Sequence, residues 1–301
     1  MSLGPPPTPR RQQVLFARIN RRPQQPLELR PFKEVILSLV ENRNTKAEHS
    51  GKTWIAGDLE VREDVLVGVI GFVVDEMITQ FDLTEWSWLK GTRRIETGAT
   101  TSTLAPFAID LRAKGRWVAF SPKGHLNAKT FPGGFHAVLS EALKNQNELF
   151  FDWDIDMVSS SQALREWVSQ HPRITKMSLN FRFDNPGRDL SSDREQMRAL
   201  GSRKMEKIFH PAPRSTLHVD AELDELSEEL DRTDLDIELT AKEGNGEVKF
   251  NTKSSREVRF VDDFSDDLSL GMDHMQEQLL DFIDGRAFPT LTGDPADEEG
   301  E

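Results

Sequence analysis

An α+β fold, with helices packed on antiparallel sheets in two domains, is predicted by three features of the sequence. Short β-branched and aromatic runs, such as VLVGVIGFVV at 65–74, are interspersed with stretches whose apolar residues repeat at helical spacing. The strand runs often meet across brief polar gaps such as Arg62-Glu63-Asp64, a pattern suited to hairpins. Finally, 301 residues suffice for two modest cores at roughly 100–200 residues per domain.

The first domain is expected over residues 13–145, after a Pro- and Arg-rich disordered arm at 1–12. Residues 14–20, VLFARIN, read as a strand. Pro31 suits a first helical turn, and Phe32, Val35, Ile36, Leu39 and Val40 predict a helix to residue 43. TWIAGDLEV and VLVGVIGFVV form the hairpin, with Gly68 and Gly71 marking a close approach or a bulge. Residues 91–103 lack periodicity and predict a loop carrying Arg93 and Arg94. APFAIDL and RWVAF are strands joined by a turn at Lys114-Gly115, and Phe135, Val138, Leu139 and Leu143 mark the helix that closes the domain.

The second domain is expected over 146–262. LFFDWDIDM at 149–157 alternates apolar and acidic residues, as a strand does. Residues 160–171 form a short helix stopped by Pro172. Met177, Leu179, Phe181 and Phe183 share one face of a strand at 174–183. Residues 191–209 are read as a helix with Met197, Leu200, Gly201, Met205 and Ile208 inward, and 220–230 as a second, acidic helix. LDIELTA and EVKFNTK flank Glu243-Gly244-Asn245-Gly246 and predict a tight hairpin whose Asn-Gly supplies positive φ angles. EVRFV at 257–261 is expected to add a third strand to it. Leu268, Met272, Met275, Leu279, Phe282 and Ile283 predict a helix within 263–285, and 286–301 reads as an acidic disordered tail.

Composition narrows the chemistry. The absence of cysteine excludes disulfides, thiolate zinc sites, iron–sulfur clusters and cysteine nucleophiles. With no signal-like apolar leader and no run of about 18 apolar residues, a cytoplasmic protein without membrane insertion is expected. The seven histidines show no HExxH or His-x-His spacing, and nucleotide-binding glycine loops and a GxSxG elbow are missing. The net charge of -13 is unevenly spread: residues 1–30 and 173–214 are each +5, whereas 219–247 is -10 and 262–301 is -12. A basic surface is therefore compatible with an acidic whole.

Three clusters are candidate sites. Asp152, Asp154 and Asp156 project from one face of a strand and would suit Mg2+; the competing reading is an acidic solvent face. Asp236 with Glu247 and Lys249 imitates the Asp, Glu-x-Lys arrangement of metal-dependent nucleases, in which carboxylates hold Mg2+ and lysine stabilises charge; the competing reading is an exposed hairpin face. No cofactor is expected outside that nuclease alternative. The third is the basic block Arg173, Lys176, Arg182, Arg188, Arg194, Arg198, Arg203, Lys204, Lys207 and Arg214, whose strand and helix would neutralise phosphates if they share a surface. Against it stands pairing of these cations with the acidic helix at 220–230.

The order PFAIDL, turn, WVAF, phenylalanine-led helix, LFFDWDIDM, helix, MSLNFRF, helix, and the hairpin LDIELTAKEGNGEVKF resembles that of RexA-like phage-exclusion proteins and the similar Kiwa component KwaB. This resemblance spans about half the chain and is architectural. It implies a bacterial antiphage protein that binds DNA without strong sequence choice, as a dimer and beside a partner subunit. It carries over no catalytic residue. The acidic C-terminal third departs from that pattern, so residues 173–214 would have to carry the DNA contact. The reading that results is a non-enzymatic DNA-binding defence component. Its alternatives are the hairpin nuclease and an acidic interaction subunit that grips a basic partner.

Overall fold

A computed structural model describes residues 11–22, 31–42, 45–73, 81–82, 87–88, 103–112, 115–145, 152–182, 204–231, 235–244, 246–262, 264 and 267–285. Its strands are β1 (Gln12–Arg22), β2 (Lys46–His49), β3 (Lys52–Arg62), β4 (Val65–Val73), β5 (Phe81–Asp82), β6 (Ser87–Trp88), β7 (Thr103–Asp110), β8 (Trp117–Phe120), β9 (Asp152–Met157), β10 (Ile174–Arg182), β11 (Lys204–Phe209), β12 (Leu235–Glu243), β13 (Gly246–Asn251) and β14 (Val258–Val261). The described α-helices are α1 (Phe32–Glu41), α2 (Phe131–Lys144), α3 (Ser161–Gln170), α4 (Leu223–Asp231) and α5 (Leu268–Asp284). The class is α+β, as the sequence predicts. No described helix is long and apolar enough to cross a membrane. Of the expected loop at 91–103 only Thr103 is described, and it opens β7; of the arm at 1–12 only Arg11 and Gln12 are described, and Gln12 opens β1; the tail at 286–301 lies outside the described residues.

The chain divides into two compact units. The first is built on a sheet of order β14-β1-β8-β7-β4-β3-β2, with β9 also pairing with β1. Helices cover both of its faces. On one, α2 lays Phe131 on Phe120 with ring centroids 3.8 Å apart, and Phe135 edge-on to Phe107 at 5.4 Å. On the other, Phe282 of α5 stacks on Phe16 at 4.0 Å. This is why VLVGVIGFVV is a continuous apolar run: Leu66, Val67, Val69 and Ile70 are all fully buried, so neither side of β4 is left for polar residues. Arg62 at the end of β3 donates to Glu60 and to Asp273 of α5, and the bond to Glu60 above all raises its pKa.

The β3–β4 hairpin turns through two residues, with Glu63 at φ 54°. Its bulge lies in β3, between Gly57 and Glu60, and Gly68 stands across from it; a Cβ there would come within 2.5 Å of Leu59 Cδ2 and 3.1 Å of Phe107 Cζ. Close approach and bulge are thus two sides of one feature. Asp110, the last residue of β7, is only 1% exposed and accepts from Arg112 Nε at 2.8 Å, NH2 at 3.2 Å and the Arg112 backbone N–H at 3.2 Å. The carboxylate raises the pKa of Arg112 through that hydrogen bond, against the opposing effect of burial. Breaking a buried pair leaves a charge without compensation, a loss of about 3–5 kcal/mol when both partners are buried. Because Arg112 stays half in water, Arg112→Ala is expected to destabilise by about 2 kcal/mol. Chemical denaturation measures it, and a change near zero would contradict this role for the pair.

The second unit takes Asp156–Glu257 together with Asn20–Arg22. Its sheet has the order β11-β10-β12-β13, antiparallel throughout. Leu164 and Val168 of α3, and Leu226 and Leu230 of α4, cover Met177, Leu179, Leu235, Ile237, Leu239, Ala241 and Phe250 on one face. The Ser160 side chain caps α3 by accepting from Ala163 N.

Four expectations need correction. The helix predicted at 191–209 is a strand where it is described: β11 pairs along β10 from Met177↔Phe209 to Arg182↔Lys204. The open edge of β10 offers backbone groups that a helix cannot satisfy, and this outweighs a local helical pattern. The third strand EVRFV does not extend the hairpin. After β13 the chain bends through a 3-10 turn at Thr252–Ser254, held by Thr252 Oγ1 accepting from Ile237 N at 3.0 Å, and β14 then pairs with β1. The positive φ of the hairpin falls on Gly244, at 59°, and not on the glycine of Asn-Gly, since Gly246 already pairs with Glu243 as the first residue of β13. Lastly, the boundary expected between 145 and 146 falls after Ile155, and the segment from Val258 through α5 belongs to the first unit.

Candidate nucleic-acid interface

Alternation along each strand assigns the outer face of the smaller sheet, the one away from α3 and α4. Register then sets its residues in rows. Lys204 pairs with Arg182, and their side chains lie outside what is described. Next come Glu206, Asn180 and Asp236, followed by Ile208, Ser178, Glu238 and Asn251. Lys176, Thr240 and Lys249 form a further row, and Lys242 opposes Glu247 at the end. Rows are about 7 Å apart, because alternate residues share a face at roughly 3.4 Å per residue.

The basic block therefore does not act as one surface. Lys176 is exposed on the outer face, and Arg173 and Arg214 are exposed in flanking segments. Lys207 is on the opposite face, where its ammonium lies 5.9 Å from the Phe181 ring centroid. Arg188, Arg194, Arg198 and Arg203 lie outside the described residues. An ion pair to α4 comes from outside the block, from Arg165, 2.8 Å from Asp224. Among the described residues none of Arg173, Lys176 and Arg214 has an ion-pair partner.

Register brings in two cations from the hairpin. Lys242 and Lys249 are exposed beside Lys176, and the Lys242 backbone N–H donates to Arg173 O at 3.0 Å, drawing the Arg173 backbone to the same end. Arg173, Lys176, Lys242 and Lys249 thus gather at one end of the sheet, with Glu243 and Glu247 as the nearest opposing carboxylates by sequence and register. Sequence reading left out Lys242 and gave Lys249 a catalytic role. Counting back from the turn would have placed both.

The two carboxylate candidates fare differently. Asp236 and Glu247 do share the outer face, but Glu247 opposes Lys242, six residues along β12 from Asp236. That is about 20 Å, far beyond the reach of one metal ion. Asp236 is also buried and engaged by Lys253 Nζ at 3.4 Å. On β9, Ile155 and Met157 are buried as expected, whereas Asp154 and Asp156 are half-buried instead of forming a solvent face, and Asp156 Oδ2 accepts from Asn20 Nδ2 at 2.9 Å. No group of three His, Asp or Glu with metal-binding geometry occurs among the described residues.

The fold and this cationic end define an α+β protein with a surface suited to anions. No protein-family model matches the chain, and no curated protein is significantly similar to it.

Proposed function

We propose that the protein binds the phosphate backbone of DNA, with little sequence preference, through Arg173, Lys176, Lys242 and Lys249. The observation that supports this is the gathering of these exposed side chains, without ion-pair partners among the described residues, at one end of a sheet in a chain whose net charge is -13. Solvated lysine and arginine ends release counterions when they meet phosphates, a mode that needs no motif. A role as a cytoplasmic, non-enzymatic component of bacterial antiphage defence, acting as a dimer or with a protein partner, rests on the resemblance in element order. The separation of Asp236 from Glu247 removes the ground for the hairpin nuclease. The exposed carboxylates Glu222, Asp224, Glu225 and Glu228 favour, as a second reading, a subunit that grips a basic protein.

Fluorescence anisotropy with a labelled duplex tests the DNA reading. Four phosphate contacts predict log K falling with log salt at a slope of about -3.6, on the order of 100-fold between roughly 50 and 200 mM. Alanine at all four positions should flatten the slope and remove most of the affinity. No binding by the natural protein, or a slope unchanged in the variant, would overturn the assignment; the former would favour the protein-binding reading.

A further inference from the structure

The outer face changes sign along its length. At the cationic end, Lys176 and Lys249 flank Thr240 on adjacent strands. Neighbouring strands lie about 4.8 Å apart, so the two lysine Cα atoms are about 10 Å apart, a span over which two flexible side chains can converge on one anion. The Thr240 hydroxyl, half-buried between them, adds a donor that fixes position. One row further, Glu238 is exposed and accepts from Asn251 Nδ2 at 2.8 Å. In the row beyond that, Glu206 is exposed and accepts from Ser178 Oγ at 2.9 Å. Both carboxylates are thereby held on the face instead of swinging freely.

We infer that a phosphodiester strand crosses the end of the smaller sheet, one phosphate held between Lys176 and Lys249 over the Thr240 hydroxyl, and that Glu206 and Glu238 bar it from running along the sheet. This deepens the DNA-binding reading and rests on it. A backbone laid lengthwise would set its next phosphate, about 7 Å on, directly over the row of Glu238 in one direction or that of Glu247 in the other, where like charges repel well inside the Debye length. A backbone laid across the end meets cations alone on the row of Thr240. The footprint is consequently short, and the carboxylates set its limit.

The test uses the full chain and labelled duplexes of increasing length, with Glu206→Lys and Glu238→Lys combined in one variant and Thr240→Val in another. For the natural protein, the salt slope should be the same for a duplex of about 10 base pairs as for one of about 30. Charge reversal should steepen the slope by about 2 and tighten binding to the longer duplex several-fold at low salt. Thr240→Val should weaken binding several-fold without altering the slope, because it removes a neutral donor. Circular dichroism confirms that each variant is folded. If charge reversal leaves slope and affinity unchanged while Lys176→Ala with Lys249→Ala still weakens binding, the limit set by the carboxylates is wrong and DNA binding at this end stands. If the lysine replacements also change nothing, both fall.

Discussion

Phe282→Ala is expected to destabilise the first unit by about 4 kcal/mol, since truncating a buried Phe removes both its transfer energy and the contacts around the cavity left behind. The ring is 1% exposed, lies nearly parallel to Phe16 at 4.0 Å and meets the Trp117 ring edge-on at 5.4 Å. The Arg259 guanidinium caps the pair, 5.7 Å from the Phe16 ring and 5.6 Å from that of Phe282. Phe282 therefore joins α5 to β1, β8 and β14 in one contact. For a unit of this size the loss corresponds to a fall in Tm of about 10 °C or more. Leu270→Ala on the same helix provides the contrast: Leu270 is 51% exposed, and its loss should change stability by no more than about 0.5 kcal/mol. Thermal unfolding of the two variants decides the matter. A Phe282→Ala protein as stable as the Leu270→Ala protein would mean that α5 does not cover this sheet.

Gly134→Ala should also destabilise, by about 3 kcal/mol, although glycine-to-alanine inside a helix ordinarily gains about 1 kcal/mol. The sign reverses because a Cβ on Gly134 would fall within the Trp54 ring, and Trp54 is 1% exposed with Phe72 at 5.2 Å beside it. The indole has nowhere to move, so α2 would have to lift from β3 and disturb the stacking of Phe131 on Phe120. Gly133→Ala meets His49 Nε2 at 2.5 Å instead. His49 is half-exposed at the edge strand β2 and can turn aside, so the smaller effect is expected there. Trp54→Phe should relieve part of the Gly134→Ala penalty. In a double-mutant cycle the two changes should fall short of additivity by more than about 1 kcal/mol. Additive losses would show that the indole is not what Gly134 accommodates.

Much of the fold was legible because local pattern and burial agree. Phe32, Val35, Ile36 and Leu39 repeat as a helix does and are buried as one stripe. Leu235, Ile237, Leu239 and Ala241 alternate with polar residues and form the inner face of β12. The candidate site was legible only in part. Arg173 and Lys176 stand out as charges in the sequence, but their neighbours Lys242 and Lys249 are more than sixty positions away and join them only through the pairing of β10 with β12 and of β12 with β13.

By itself the sequence determined the absence of cysteine chemistry, the uneven charge, most helices and strands, and the β12–β13 hairpin, because each depends on composition or on neighbours within a few residues. Tertiary structure alone decided that residues 204–209 are a strand, that β14 and α5 complete the first unit, and that Asp236 and Glu247 stand at opposite ends of one face. Those outcomes depend on which open strand edge and which apolar face a segment meets. Such contacts form between residues far apart in the chain, where their free energy outweighs local preference.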